Sequence, residues 1–274
     1  MRNDIRIALL IVLLVTGATA HAADTEPLKR FNQLYGDILA NYWHGTVHIH
    51  GIDTTVFDYA AMARDARRQG SAFHKAEQAL NELVNPPSQG DAGKAFWINA
   101  YNFGAIRLIV EHYPVDSIRS FKISLLRHPW SKDAVRIGGR WYSLSEIEHD
   151  ILIERFGDPR IVFAVSCAAV SCPDRGKQPF NAATLDRQLD ANIRRFFRNP
   201  GKGLRLDKDA GMLMLSWILK KDRHLFEDKY DGVLNFVLRY ADDATRDRLQ
   251  AHDVDIDYLD HDWTLNDVAQ AKGG

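Results

Sequence analysis

The sequence predicts an α+β protein, mostly helical and packed around a small β-sheet. Three observations carry that expectation. A stretch near 92–112 is apolar on nearly every side, which marks a helix buried at the centre of a fold. Amphipathic helical stripes precede and follow it, and short alternating runs broken by glycine turns lie between them.

The elements follow in order. Arg2 and Arg6 precede an unbroken apolar run over 7–15, and Ala20-His21-Ala22 supplies a small-x-small cleavage pattern. Residues 1–22 therefore read as an export signal whose apolar core is too short to span a bilayer. That leaves 23–274 as a single globular domain, periplasmic or secreted, with no stable membrane span. Leu28, Phe31, Leu34, Tyr35, Ile38 and Leu39 form a helical stripe over 27–41. Residues 47–52 alternate as a strand, ended by Gly51 and Asp53. Helices are expected over 59–68 and 72–84, the latter closed by Asn85-Pro86-Pro87, and Pro114 stands just beyond the central helix. Gly138-Gly139 between 134–137 and 140–142 signals a two-residue hairpin. Ser143 and Glu146 form a capping box that opens a helix ending at Gly157. By composition, 160–165 is a short buried strand. Residues 183–197 form an amphipathic helix, 204–215 a hairpin and 232–240 a further helix.

Charge excludes some functions. Lys and Arg total 35 against 36 Asp and Glu, a net charge of −1 that becomes about −2 without 1–22. No global basic field favours nucleic acid or anionic lipid. The partner class left open is a small molecule, a peptide or a protein. A Walker loop, a dinucleotide glycine fingerprint, a G-x-S-x-G elbow and an H-E-x-x-H pair are all missing, so no cofactor is expected.

The chain's two cysteines, Cys167 and Cys172, follow the apolar run Ile161-Val162-Phe163-Ala164-Val165. In an oxidising compartment such a pair is a disulfide, a reactive thiol site, or both in turn. Residues five apart on a regular helix stand ~140° from each other, so a bridge needs a turn between them. A loop that short adds only about 2 kcal/mol on the loop-entropy model, a weak reason to staple a domain of this size. A reactive thiol needs a cation or base, and His149, with Glu148 beside it, is the candidate. Cys167 would be the nucleophile and Cys172 its resolving partner. Adjacent helical residues point about 100° apart, so one of Glu148 and His149 is expected in the core and the other in a cleft.

Asn99, Tyr101 and Asn102 sit in the apolar central helix and need partners, either a ligand or the backbone of a neighbouring loop such as the cysteine loop itself. Arg160 offers either a carboxylate-binding group or one arm of a structural ion pair. His44, His48 and His50 are weak metal candidates, since no acidic residue or cysteine lies among them to complete a first shell. A histidine-rich surface hairpin is the simpler reading.

Several boxes together suggest a family. Ala95-Phe96-Trp97-Ile98-Asn99-Ala100-Tyr101-Asn102, Tyr113-Pro114-Val115, Ile147-Glu148-His149, Asp158-Pro159-Arg160, Cys167-Ala168, Ser171-Cys172-Pro173 and Asp262-Trp263-Thr264-Leu265-Asn266 occur in order. In this the chain resembles the family called domain of unknown function 547, over about 57–266. The resemblance implies no settled activity. Glutaredoxin-like domains fused to some eukaryotic members tilt it towards thiol chemistry. The family usually carries His where Val162 stands and Tyr where His261 stands. Two functions remain: thiol-dependent chemistry centred on Cys167, Cys172 and His149, as a cysteine hydrolase or transferase or in disulfide exchange, or a non-catalytic binding or scaffold module with an inert Cys167–Cys172 staple.

Overall fold

A computed structural model describes residues 25–126, 128–207, 209–251 and 254–272. The export-signal reading of 1–22 lies outside these residues. The α+β class holds, with the strands divided among three small sheets rather than gathered into one. No helix among the described residues is long and apolar enough to cross a membrane.

Helix α1 (Thr25–Tyr42) leads directly into a hairpin of β1 (Trp43–Ile49) and β2 (Ile52–Phe57). The sequence suggested one strand over 47–52. Instead the chain reverses inside that stretch, because His50 and Gly51 both take positive φ and make the two-residue turn themselves. Helices α2 (Tyr59–Ala66) and α3 (Ala72–Glu82) start at side-chain caps from Asp58 and Ser71. Helix α4 (Gly90–His112) is buried along nearly its whole length, as its composition requires. Phe31 and Tyr35 of α1, Phe73 of α3 and Phe103 of α4 form an aromatic cluster at its side.

Strands β3 (Asp133–Ile137) and β4 (Arg140–Ser143) pair across Gly138-Gly139 as expected. The Ser143 hydroxyl accepts the Glu146 N–H at 3.1 Å, while the Glu146 carboxylate turns to Arg140 instead of back to the cap. The segment Glu146–Ile153 winds as a π-helix before one turn of α5 (Glu154–Phe156) and the left-handed Gly157.

Residues 160–165 are not a strand. Pro159–Phe163 is a 3-10 helix, begun by the Asp158 carboxylate accepting the Arg160 N–H and by Pro159 in the first turn. The apolar run was a sound sign of burial but cannot distinguish a buried strand from a buried helical turn. Ile161 packs into the core around α4, whereas Val162 and Phe163 enter a second core. That second core gathers Phe163, Phe196, Phe197, Phe226 and Phe236. Its elements are α6 (Leu185–Phe197), α7 (Trp217–Lys221), α8 (His224–Tyr230), α9 (Val233–Tyr240) and α10 (Asp243–Gln250). The hairpin of β5 (Leu204–Asp207) and β6 (Met212–Leu215) gains a parallel third strand, β7 (Asp255–Tyr258), that the sequence did not announce.

The buried asparagines of α4 fix two loops. Asn99 donates to the Phe180 carbonyl and accepts the Phe180 N–H, both at 2.9 Å. Asn102 donates to the Ala164 carbonyl at 2.9 Å and accepts the Ser166 N–H at 2.8 Å. The second pair holds the segment that delivers Cys167. Asn102→Ala would leave two buried backbone groups without partners, at about 1–3 kcal/mol each. The expected loss is about 2–6 kcal/mol of unfolding free energy in urea, and a loss below 1 kcal/mol would contradict this role.

Candidate functional site

The seam between the two cores opens into a cleft of about 320 Å³. Tyr101 of α4, Glu148 and His149 of the π-helix, and Trp217, Ile218, Lys221 and Asp222 line it. Cys167 and Cys172 stand in its wall with Val162, and Trp130, His261 and Trp263 close the rim. A mostly apolar concavity with a few convergent polar groups is what small-molecule sites share.

Two long-range contacts build the cysteine wall. The C-terminal segment lies antiparallel to the cysteine loop: Val170 N–H donates to the Thr264 carbonyl at 2.8 Å, Asn266 N–H to the Ala168 carbonyl at 2.9 Å and Ser171 N–H to the Asp262 carbonyl at 3.2 Å. The Ser171 hydroxyl accepts the Asp262 N–H at 2.9 Å. From the other side, the buried Lys202 ammonium donates to the Val170 carbonyl at 3.2 Å and to Thr54 at 3.1 Å, and pairs with Asp174 at 2.8 Å. Between these supports Ala168 is held at φ 62°, a left-handed conformation costly for a residue with a side chain.

The sulfurs of Cys167 and Cys172 lie at disulfide distance, with their Cα atoms 6.1 Å apart. Cys172 is buried and Cys167 is the more open residue. The imidazole against them belongs to His261, whose Nε2 is 3.8 Å from the Cys172 sulfur. His261 packs against Trp217 and Trp263, at ring-centroid distances of 4.9 and 4.2 Å. Burial pulls its pKa down to about 4; Asp262 opposes this, while Lys221, Lys202 and Arg119 add to it.

A second polar group lines the cleft. Lys221 stands 3.4 Å from Glu148 and 3.1 Å from Asp222, both of them buried carboxylates. Against the cost of burial, these two carboxylates hold the Lys221 ammonium above its usual value. Burial raises Asp222, with Lys221 opposing and Glu148 adding to the rise. The Tyr101 hydroxyl meets Glu148 and Trp130, and burial pushes it well above the usual phenol range.

The residues singled out in the sequence therefore divide. Cys167, Cys172, His149, Glu148 and Tyr101 come together in one cleft. Glu148 and His149 both line it, Glu148 as a buried residue and His149 as an exposed one, close to the split that the helical angle led one to expect. Asn99 and Asn102 serve backbone, not the cleft. Arg160 lies elsewhere, bonded to Asp158, Asp186 and Asp190 at 2.7–3.1 Å in an ion-pair network that raises its pKa, Asp158 first. His48 pairs with Asp53 at 2.9 Å and His50 with Asp262 at 2.8 Å. His44 is an exposed position of β1, and the three histidines do not converge as metal ligands.

Sequence reasoning did not assign His261, Trp130, Trp217, Trp263, Lys221 and Asp222 to the site. One signal was available. His261 and Val162, the two departures from the pattern of the family the sequence resembles, both line this cleft. Residues 88–197 match the family described as "Protein of unknown function, DUF547". That segment runs from just before α4 through the cysteine loop to the end of α6. No curated protein and no solved structure matches the chain.

The depressed His261 pKa gives stability a pH dependence of known sign. An unfolded imidazole titrates near 6.5 and the folded one near 4, so the unfolded chain takes up the proton first as pH falls. Stability is thus lost between pH 6.5 and 4, by up to about 3 kcal/mol at the acid end. His261→Phe keeps a ring in place and removes this contribution. Urea unfolding from pH 7 to 4 is expected to show a steeper decline for the wild type than for the variant. Parallel declines would mean that the imidazole is not held neutral.

Proposed function

We propose that the protein exchanges its Cys167–Cys172 disulfide with a thiol-bearing small molecule or peptide bound in the cleft, after export to an oxidising compartment. One observation carries this reading: the cysteine pair stands in the wall of the cleft, beside an imidazole, instead of deep in either core. A structural staple gains nothing from either neighbour.

The steps balance for a dithiol substrate. A substrate thiolate attacks the Cys167 sulfur, the more open one, and forms a mixed disulfide. The Cys167–Cys172 bond breaks and its electron pair leaves on Cys172. His261 Nε2, at 3.8 Å, is placed to hydrogen-bond that leaving sulfur in the tautomer that carries its proton there. The substrate's second thiolate then attacks its own sulfur in the mixed disulfide, and Cys167 departs as a thiolate. The substrate loses two electrons and two protons, and both protons end on the protein's cysteines. Trp130, Trp217 and Trp263 offer apolar faces for the substrate, and the Glu148–Lys221–Asp222 group offers polar contacts. Hydrolase or transferase chemistry at Cys167, with His149 as base, requires this disulfide to be open first.

Equilibration with mixtures of reduced and oxidised glutathione, followed by alkylation and mass spectrometry, tests the reading. The folded wild type is expected to open and close the Cys167–Cys172 bond reversibly. Cys172→Ser should trap a mixed disulfide on Cys167, and His261→Phe should slow opening about tenfold, as expected for loss of a leaving-group partner. A bond that opens only after denaturation would make the pair a staple and the protein a binding or scaffold module.

A further inference from the structure

The two sulfurs and the His261 ring nitrogen lie within 4.8 Å of one another, the one group of three or more potential metal ligands found among the described residues. We propose that, once the disulfide is opened, Cys167, Cys172 and His261 form a three-ligand site for a thiophilic d10 cation, zinc(II) or copper(I). This rests on the disulfide-exchange reading above, because the bridged sulfurs cannot act as thiolate ligands.

The geometry favours chelation. A metal bound by sulfur at about 2.3 Å and by imidazole nitrogen at about 2.0 Å holds those two donors about 3.5–3.7 Å apart in a tetrahedral or trigonal arrangement. Cys172 Sγ and His261 Nε2 already stand at 3.8 Å. Cys167 and Cys172 are joined by a turn whose backbone is tied down at Ala168, Val170 and Ser171, so its two Cα atoms stay close when the bond opens. Rotation about each Cα–Cβ bond then separates the sulfurs to ligand spacing without moving the loop. Trp217 and Trp263 fix the His261 ring from two sides.

Donor chemistry narrows the cation. Two thiolates and an imidazole select soft or borderline ions, whereas calcium and magnesium require oxygen donors. Three protein ligands in a cleft wall leave a fourth position facing the cavity, the arrangement of an open zinc site or of three-coordinate copper(I). The redox balance is explicit. A dithiol donor supplies two electrons and two protons, becomes a disulfide itself and leaves two cysteine thiols. The metal displaces both thiol protons, so zinc(II) with two thiolates is a neutral unit, which suits a mostly apolar wall. Disulfide and metal thus exclude each other, and each protects the cleft from the other state.

The test uses the full chain. The protein is treated anaerobically with a phosphine reductant, which brings no competing thiol; the reductant is removed and free thiols are counted. Reduced and oxidised samples are then titrated with zinc(II) and with copper(I) against chromophoric chelators, and with cobalt(II) to detect a sulfur-to-metal charge-transfer band. The expected result is two thiols and one tightly bound ion per reduced chain, with none bound at this site in the oxidised chain. Cys172→Ser and His261→Phe should each weaken binding at least about tenfold, with circular dichroism unchanged. Two thiols without stoichiometric binding would overturn the metal site and leave disulfide exchange standing. Equal binding by oxidised and reduced chains, or binding indifferent to both substitutions, would place the ion elsewhere and overturn it as well. No thiols in the folded protein would overturn both readings together.

Discussion

The pairing of the chain's C-terminal segment with the cysteine loop is the contact on which the rest of the site depends. Residues 262–266 lie against 168–171, and Asn266 extends that contact into the first core. Its side chain donates to the Thr55 carbonyl and accepts from the Tyr59 hydroxyl, while its backbone bonds to Ala168 and Phe57. Without this pairing His261, Trp263 and Asp262 would have no defined position. With it, an imidazole from near the end of the chain meets sulfurs about ninety residues earlier, and the aromatic rim closes over them. Loop-closure entropy makes such a contact costly to form, and several buried hydrogen bonds acting together offset that cost.

Charge is arranged around this frame with similar economy. Lys202 is fully buried, and the penalty of burying it lowers its pKa against the pull of Asp174. A buried ion pair of this kind adds little net stability over an apolar replacement, but breaking it leaves an uncompensated charge. Its contribution is to position: the ammonium grips the Val170 carbonyl and the Asp174 carboxylate accepts from Thr54 and Thr55, so β2 and the cysteine loop are held in register. Lys221 plays the matching part within the cleft by keeping Glu148 and Asp222 together. The cleft thus combines the aromatic faces of Trp130, Trp217 and Trp263 with one polar group.

Much of this was legible in the sequence, and the rest was hidden for physical reasons. The buried central helix, the Gly138-Gly139 hairpin and the caps follow from patterns that act locally. The demand of Asn102 for a partner was also legible, and of the ligand and loop backbone left open as partners it takes the backbone. The conformation of 159–163 was not, since an apolar run has the same composition in a strand and in a 3-10 turn, and only Pro159 and the Asp158 cap decide between them. The reversal at His50-Gly51 lacks the Asn-Gly or Asp-Gly pair that usually marks such a turn. His261, Trp217 and Lys221 lay beyond local reasoning because they reach the cysteines through tertiary contacts. A single sequence does not specify those contacts.

The redundancy of the supports around the cysteine loop bears on what its bond is for. Asn102 holds the entry to the loop, Lys202 its middle and the C-terminal segment its far edge, each through hydrogen bonds that do not involve sulfur. Closing a loop this short adds only about 2 kcal/mol by restricting the unfolded chain. Two cores of this extent do not require that increment, and a bond placed for stability would be better spent tying distant segments, where the entropic gain is larger. A cross-link with so little to add to stability fits the disulfide exchange proposed above, as does its position in the wall of a cleft, with one sulfur more open and the other against an imidazole.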